Sequence, residues 1–356
     1  MPTANEELAD LSVRHQVQIF RLSSGVLRKL IPLLNRADQE IIAKLASRGA
    51  TLEGSFTSKR LGSLLESIRV INRDAHTGLG RELRKELRDL AAYEASFQAR
   101  MISSALPIQW DIVSPSAEML DAVVNAQPFQ GKLLKDWVSE LDASKFRRVR
   151  DAVRLGMIEG QTTDQIVRRI RGTRALRYKD GVMEIGRRGA EAMVRTAVSH
   201  TASAARETLY QANSDLIAKE VWVATLDTRT CPVCGSLDGQ EFELGKGPRS
   251  PVHIGCRCLR APVTKSWREL GFDIDELPPG TRASMNGQVP GDMSYEQWLR
   301  RQPVSVQDDA LGKSKGQLFR KGELPLDKFR QGNEELTLDQ LRAKEAEAFT
   351  KAGLAA

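Results

Sequence analysis

The sequence TCPVCGSLDGQEF, residues 230–242, is closely followed by SPVHIGCRC, residues 250–258. All four cysteines of the 356-residue chain lie in these two stretches, together with His253, one of its four histidines. The two-residue spacing between Cys231 and Cys234 lets both thiolates reach one tetrahedral metal ion. Ligands from two separated stretches therefore predict a small insert that is held together by zinc.

Five side chains compete for the four ligand positions of this site. They are Cys231, Cys234, His253, Cys256 and Cys258. We favour Cys231, Cys234, His253 and Cys256, with Cys258 as the first substitute, because two residues separate His253 from Cys256 and thus repeat the first spacing. A site filled by protein ligands leaves no position for a reactive water, so the zinc is expected to be structural. It would contribute on the order of 10 kcal/mol to the order of the insert.

Three alternatives to zinc binding could also explain the cysteines. Two disulfides would use all four thiols, but the start of the chain, MPTANEELADL, does not read as a secretory signal, and a reducing cytoplasm disfavours disulfides. A redox dithiol at Cys231 and Cys234 would open a helix in a thioredoxin-like unit, which is not expected here. The thiols can also remain reduced without metal.

In the zinc interpretation, Gly235 takes the left-handed conformation that points backbone N–H groups at sulfur.

The rest of the sequence predicts a mainly α fold. Apolar residues recur at helical spacing over residues 6–47, in one or two helices, and over residues 59–103. Alternation of apolar side chains predicts a strand over residues 219–227, and the Asp238-Gly239 turn leads into a second strand. We expect a helical N-terminal region and body, a small β-rich insert and an extended C-terminal tail.

Proline-rich and glycine-rich stretches suggest where these regions meet. We expect a helical N-terminal region at residues 1–110, a second domain at 111–265 with the Cys/His insert at 219–265, and an extended tail with short helices at 266–356. The apolar residues of the tail are scattered, so the tail is expected to be ordered by packing on a neighbour and to lack a core of its own.

Basic residues are concentrated in one segment of a chain whose net charge is +7. Residues 145–188 contain 13 Lys and Arg against 5 Asp and Glu. An arginine-rich segment suits a phosphate backbone or an acidic protein surface, although a solvated face with internal partners is an equal alternative. The candidate binding residues are Arg147, Arg148, Arg150, Arg154, Arg168, Arg169, Arg171, Arg174, Arg177, Arg187 and Arg188.

An enzyme is the first alternative function. Arg195, His200 and Glu207 lie on one predicted helix and, with His253, could form the site of a metal-dependent DNA nuclease or a toxin-like transferase. A solvated polar face explains the helical residues more simply. The second alternative is a sequence-independent DNA-binding protein. No apolar run is long enough for a membrane span, so no membrane partner is expected.

Three stretches together resemble a known family. RTAVSHTASAARETLY, VWVATLDTRTCPVCGSLDGQEF and PVHIGCRC follow the order of the Mu F-like domain of phage head morphogenesis proteins, also called minor capsid or minor head proteins. The resemblance covers about residues 115–265. The sequence has Ile254-Gly255 where His-Pro is usual in the family, which is expected to loosen the turn before Cys256.

The resemblance implies a low-copy virion component and no enzyme. Its implied partners are the portal protein and the major capsid or scaffold protein, with double-stranded DNA as a further candidate. The implied location is the capsid interior near the portal, and the host cytoplasm during virion assembly.

Overall fold

A computed structural model describes residues 4–49, 58–106, 108–273 and 280–354. Within these ranges the chain forms twelve α-helices, one 3-10 helix and seven short strands, which confirms the predicted mainly α class. None of the described helices combines the length and the apolar character needed to cross a bilayer.

The α-helices carry most of the chain, and the first two are the longest. Their bounds are α1 Ala4–Gly49, α2 Ser58–Ala105, α3 Ala117–Asn125, α4 Leu134–Ile158, α5 Thr163–Arg171, α6 Val182–Ala212, α7 Pro232–Leu237, α8 Tyr295–Arg300, α9 Val304–Leu311, α10 Lys313–Arg320, α11 Leu338–Lys344 and α12 Ala346–Lys351. A 3-10 helix spans Leu326–Phe329. The region predicted as one or two helices is the single helix α1, which continues past Pro32.

Side-chain caps explain where several short helices begin. The Thr162 hydroxyl accepts a hydrogen bond from the N–H of Gln165, and the Gln165 side chain accepts one from the N–H of Thr162, which starts α5. Ser294 and Gln297 form the same capping box at the start of α8. The sequence spacing of these residues predicts both caps.

The strands are short and antiparallel within their sheets. Their bounds are β1 Ile217–Val223, β2 Glu241–Glu243, β3 Leu259–Thr264, β4 Thr281–Ser284, β5 Gly287–Pro290, β6 Arg330–Gln331 and β7 Glu334–Glu335. Strand β1 is central in the sheet order β2-β1-β3. It ends four residues before the predicted end at Asp227, because the N–H of Ala224 donates to the Asp238 side chain at 2.7 Å instead of to a strand.

The chain forms two compact units. The insert unit consists of Met1–Ile19, Ala92–Leu120 and Ala202–Ala356, and the helical unit consists of Phe20–Ala91 and Asp121–Thr201. Each unit has apolar core clusters of its own.

The helical unit is built around apolar side chains from five of its helices. Its core contains Ile41, Leu45, Leu64, Ile68, Val149, Val153, Ile166, Ile170 and Met183. Lys145 is buried beside this core and pairs with Asp38. Burial raises the pKa of Asp38 even though the Lys145 charge opposes the shift. Lys145 is therefore an internal residue and does not belong to the exposed basic surface.

The insert unit contains a buried network of charged and polar side chains. The expectation that Glu207 on α6 is solvated is wrong, since Glu207 is 8% exposed, and the neighbouring Arg206 is 1% exposed. Arg206 donates through Nε to Glu94 and through Nη2 to Gln16, the latter at 2.9 Å. His15 Nε2 lies 2.6 Å from the other carboxylate oxygen of Glu94.

Further hydrogen bonds complete the surroundings of Glu94. Gln98 donates to the carboxylate at 2.8 Å, and the Tyr210 hydroxyl donates to Gln98 at 2.8 Å. Burial alone would raise the pKa of Glu94, but the charge of Arg206 and the hydrogen bond with His15 outweigh it and lower the pKa to about 2. Glu94 is thus held as a buried carboxylate.

The C-terminal region has a core of its own, so the expectation of a tail without one is wrong. The core is formed by Tyr295, Trp298, Leu299, Leu318, Phe319, Leu326, Phe329, Leu341 and Phe349, together with Leu226 after β1. These apolar residues are scattered in the sequence because each short helix contributes only one to three of them. Helix α10, which contains Gly316 and was not expected, supplies Leu318 and Phe319.

Candidate metal centre

The first half of the candidate metal centre lies at the start of α7. Cys231 caps this helix, and its sulfur accepts a hydrogen bond from the N–H of Cys234 at 3.4 Å. Pro232 occupies the first turn, where a missing N–H has no cost. The CxxC motif does open a helix, contrary to expectation, but α7 connects the antiparallel strands β1 and β2 and is not part of a parallel βαβ unit.

Gly235 differs from its predicted role. It lies inside α7 without a positive φ. A Cβ atom built there would lie 2.4 Å from Cδ1 of Tyr295. The glycine is needed because the Tyr295 ring packs against the helix backbone.

A substitution tests this close approach. We expect Gly235→Ala to lower the free energy of unfolding by about 1–3 kcal/mol, because the added methyl overpacks the contact with Tyr295. Thermal and denaturant unfolding measure the effect. Gly62→Ala in α2 is the matched control, since a Cβ there meets nothing within 4 Å. It should be neutral or stabilising, and an equal loss in both variants would contradict the packing explanation.

The second half of the centre lies in the turn before β3. Gly255 has a φ of 75°, and the N–H of Cys256 donates to the carbonyl of His253 at 3.1 Å. The turn is therefore closed by a hydrogen bond, and the comparison of Ile254-Gly255 with His-Pro stays a prediction. Glycine supplies the left-handed conformation that the turn requires.

The two halves bring their ligand atoms together in two overlapping groups of three, although Cys231, Cys234, His253 and Cys256 do not all lie within 4.8 Å of one another. His253 Nε2 lies 3.3 Å from Cys231 Sγ and 3.5 Å from Cys234 Sγ. Cys234 Sγ lies 3.6 Å from Cys256 Sγ. A tetrahedron with Zn–S bonds of about 2.3 Å and Zn–N bonds of about 2.1 Å has edges of about 3.6–3.8 Å. The donor set suits zinc, and these three distances are close to such edges.

Two groups of three ligands share Cys234. One contains Cys231 and His253, and the other contains Cys256 and Cys258. All four cysteines are free, so no disulfide uses them. His253 Nδ1 lies 3.0 Å from the carbonyl oxygen of Ile254, a contact that leaves Nε2 facing the sulfurs. Cys258 is buried beside the favoured four, which is consistent with its place as the first substitute.

The electrostatics of the cluster favour ionised ligands at some positions. Hydrogen bonds with Cys234 and with His253 lower the pKa of the Cys231 thiol to about 5. Hydrogen bonds with Cys231 and Cys256 raise the pKa of His253 to about 11. The pKa of Cys256 is also lowered, whereas the thiols of Cys234 and Cys258 have raised pKa values. A bound cation would replace the protons that the thiols and His253 share in these hydrogen bonds.

An apolar shell closes the centre. It consists of Trp222, Ala224, Val233, Leu237 and Val252, with Phe242 packed against it. Such a shell excludes water from the buried Cys234, Cys256 and Cys258, whereas Cys231 and His253 are half-buried. A centre with this closure suits a structural role better than a reaction at the metal.

Asp227 and Arg257 form an ion pair that sequence reasoning did not single out. The Arg257 guanidinium donates to both carboxylate oxygens of Asp227, at 2.8 Å and 2.6 Å. This bidentate pair joins the loop before Cys231 to the turn that holds Cys256. In the sequence, Asp227 lies shortly before the first two cysteines, and Arg257 lies between the last two. Opposite charges near the two pairs of cysteines are the signal that could have predicted this ion pair.

Asp238 is the second position that sequence reasoning missed, since the sequence indicates only a turn residue there. Its buried carboxylate accepts hydrogen bonds from the N–H of Ala224 and of Tyr295, each at 2.7 Å, and pairs with Arg282. The Tyr295 hydroxyl lies within hydrogen-bond distance of the carbonyls of Asp227 and Thr230. The C-terminal region is thereby attached directly to the insert.

The candidate arginines of residues 145–188 divide into two groups. Arg150 pairs with a neighbouring aspartate, while Arg169, Arg187 and Arg188 pair with glutamates. The Arg171 guanidinium lies 5.5 Å from the centre of the Tyr178 ring. The remaining candidates are exposed and have no ion-pair partner among the described residues: Arg147, Arg148, Arg154, Arg168, Arg174 and Arg177.

The residues of the alternative catalytic site have separate partners. Arg195 donates to the hydroxyls of Ser23 and Ser24, and the His200 ring lies 5.3 Å from that of Phe129. Glu207 pairs with Arg249 at 3.0 Å. His253, described above, belongs to the cysteine cluster. Each side chain is thus accounted for by a local contact.

Comparison with known proteins gives one match. Residues 147–261 match the model of the family described as phage Mu protein F like protein, which is just under a third of the chain. The matched stretch contains the CxxC motif, the HxxCRC motif and most of the basic segment. No curated protein and no solved structure matches the chain significantly.

Proposed function

We propose, from the Mu F-like stretch at residues 147–261, that this chain is a minor head protein of a phage and acts by binding. Phage head morphogenesis is the role that the family match supports. The finer proposal is a low-copy component of the virion that binds the portal and the major capsid or scaffold protein. Its place would be the capsid interior near the portal, after assembly in the host cytoplasm.

The Cys/His insert supports a structural part in this role. We propose that one zinc ion, held by Cys231, Cys234, His253 and Cys256, fixes the insert within the region 111–265. The tail at 266–356 would then be positioned by its contacts with the insert through Asp238. No reaction is assigned to the centre.

The proposed role is tested in the phage that encodes the chain. Quantitative mass spectrometry of purified heads should find the protein at a few copies for each portal ring, and an affinity tag on it should retain the portal protein. A variant that no longer folds its insert should be missing from heads. Detection of the chain only in infected-cell extracts, with none in purified heads, would overturn the proposal.

We further propose double-stranded DNA as a partner of the exposed arginines. Alanine at Arg147, Arg148 and Arg154 should weaken duplex binding and reduce the slope of log affinity against log salt by about 0.9 for each phosphate that is no longer neutralised. Fluorescence anisotropy over a salt series measures this slope. Alanine at Arg150, Arg169 and Arg188, which are ion-paired, is the control and should change the slope less. Equal slopes for all forms would show that these arginines do not contact DNA, which leaves an acidic protein surface or a solvated face as their role.

A further inference from the structure

A cavity of about 640 Å³ opens in the insert unit between the start of α1, the end of β1 and the hairpin of β4 and β5. Part of its wall is apolar and is formed by Ala9, Val13, Val221, Val223 and Ala283. Five carboxylates also line it: Glu6, Asp10, Asp227, Glu241 and Asp292. Arg282 is the only cation among the described lining residues, and it already pairs with Asp238.

The carboxylates at the rim of the cavity have few ion-pair partners among the described residues. Asp292 is exposed and has no ion-pair partner among the described residues. Asp10 pairs only with the exposed side chain of Arg14, and Glu241 only with that of Lys219. Exposed pairs of this kind contribute little. The cavity therefore presents an acidic rim around an apolar wall, on a chain whose net charge is positive.

A loop of the opposite charge has the sequence GTRALRYKDG, residues 172–181, and we name it the basic loop. Leu176 and Tyr178 in this loop are 59% and 42% exposed. They alternate with Arg174, Arg177 and Lys179, which are exposed and have no ion-pair partner among the described residues. The loop thus displays apolar side chains flanked by cations.

The backbone of the basic loop is fixed in an uncommon conformation. Arg177 and Tyr178 have φ angles of 52° and 62°, which side chains other than glycine seldom adopt. The N–H of Tyr178 donates to the carbonyl of Thr173 at 2.8 Å, and the N–H of Thr173 donates to Asp180 at 2.9 Å. A preformed loop loses little conformational entropy on binding, and strain of this kind often marks a binding element.

We propose that the basic loop of one molecule docks into the acidic cavity of a second copy of the same chain. Leu176 and Tyr178 would contact the apolar wall, while Arg174 and Arg177 would pair with Asp10 and Asp292. The two surfaces differ, so the contact is heterologous. Repeated around an axis it closes a ring, and without closure it continues as a chain of molecules.

Charge reversal on the two surfaces tests the proposal. The cavity variant carries Asp10→Lys and Asp292→Lys, and the loop variant carries Arg174→Glu and Arg177→Glu. All four side chains are at the surface. Analytical ultracentrifugation of the wild type over a concentration range should show reversible association that weakens with salt. Each variant alone should associate at least about 100-fold more weakly, because like charges then face each other.

Mixing the variants gives the decisive result. An equimolar mixture should associate again, since the intact loop of the cavity variant meets the intact cavity of the loop variant, and the reversed charges of the other loop and the other cavity also attract each other. Glu7→Lys with Glu347→Lys, and Arg28→Glu with Arg36→Glu, change the same charges at other exposed positions and should leave association unchanged. A wild type that stays monomeric at its highest soluble concentration at low salt would overturn the proposal. So would a mixture that remains monomeric, or control variants that dissociate equally.

Discussion

Replacing Cys234 with serine is expected to abolish stoichiometric zinc binding and to unfold the insert locally. Cys234 is the ligand that both groups of three share, and its sulfur lies within 3.6 Å of His253 Nε2 and of Cys256 Sγ. Without this sulfur neither group keeps three ligands. Because the free energy of zinc binding stabilises the fold that carries the site, the insert should lose its order together with the metal.

Metal analysis and hydrogen exchange measure both effects. The wild type should contain one zinc for each chain, and Cys234→Ser should bind zinc more than about 100-fold more weakly. Substitutions of residues that only contact the ligands lower metal affinity by about 10–100-fold, so a larger loss identifies Cys234 as a ligand. Amide protection should fall over residues 219–265. Cys258→Ser is the matched control, since the favoured ligand set does not contain it. Retention of one zinc by Cys234→Ser, or its loss only from Cys258→Ser, would contradict the proposed ligands.

Removing zinc from the wild type separates the metal from the mutation. A strong chelator should reproduce the loss of amide protection over residues 219–265, and added zinc should restore it. If the chelated protein keeps full protection while its zinc is gone, the apolar shell around Trp222 holds the insert without metal.

The sequence was sufficient for those parts of the structure that depend on local pattern. Helical spacing located the long helices, capping boxes located the starts of α5 and α8, and alternation located β1. The ligand cluster was also predictable, because metal ligation imposes its spacing directly on the chain. Cys231 and Cys234 needed only their own separation to indicate a common ion.

The parts that sequence reasoning missed depend on interactions between distant residues. Gly235 was expected to form a left-handed turn, but the ring of Tyr295, sixty residues away, determines its role. Asp238 was predicted as a turn residue, although its carboxylate also holds Arg282 and the start of α8. No local pattern carries that information. The core of the C-terminal region was missed for the same reason, because its members are dispersed over many short elements.

Replacing Arg206 with methionine is expected to be among the most destabilising single changes in the chain. The guanidinium is buried against Glu94, so its removal leaves a carboxylate in the interior with only His15 and Gln98 beside it. Breaking one side of a buried ion pair costs about 3–5 kcal/mol. Urea denaturation should show this loss in the free energy of unfolding.

Two further variants identify the cause of that loss. Arg195→Met changes an exposed arginine on the same helix and should stay within about 0.5 kcal/mol of the wild type. Arg206→Met combined with Glu94→Met removes both charges and should recover a large part of the stability. If the double variant is as unstable as the sum of the single variants, the pair has no coupling and the loss comes from packing alone.

The same network predicts a dependence of stability on acid. Since the folded state lowers the pKa of Glu94 from 4.5 to about 2, the carboxylate stabilises the fold above pH 4.5. This contribution, about 3 kcal/mol, should be lost as the pH falls from 4.5 towards 2, because the unfolded chain takes up the proton first. Unfolding of the wild type and of Glu94→Gln should be measured at several pH values across this window. The variant starts less stable and should lose less on acidification, and parallel pH profiles for the two proteins would show that other carboxylates determine the acid sensitivity.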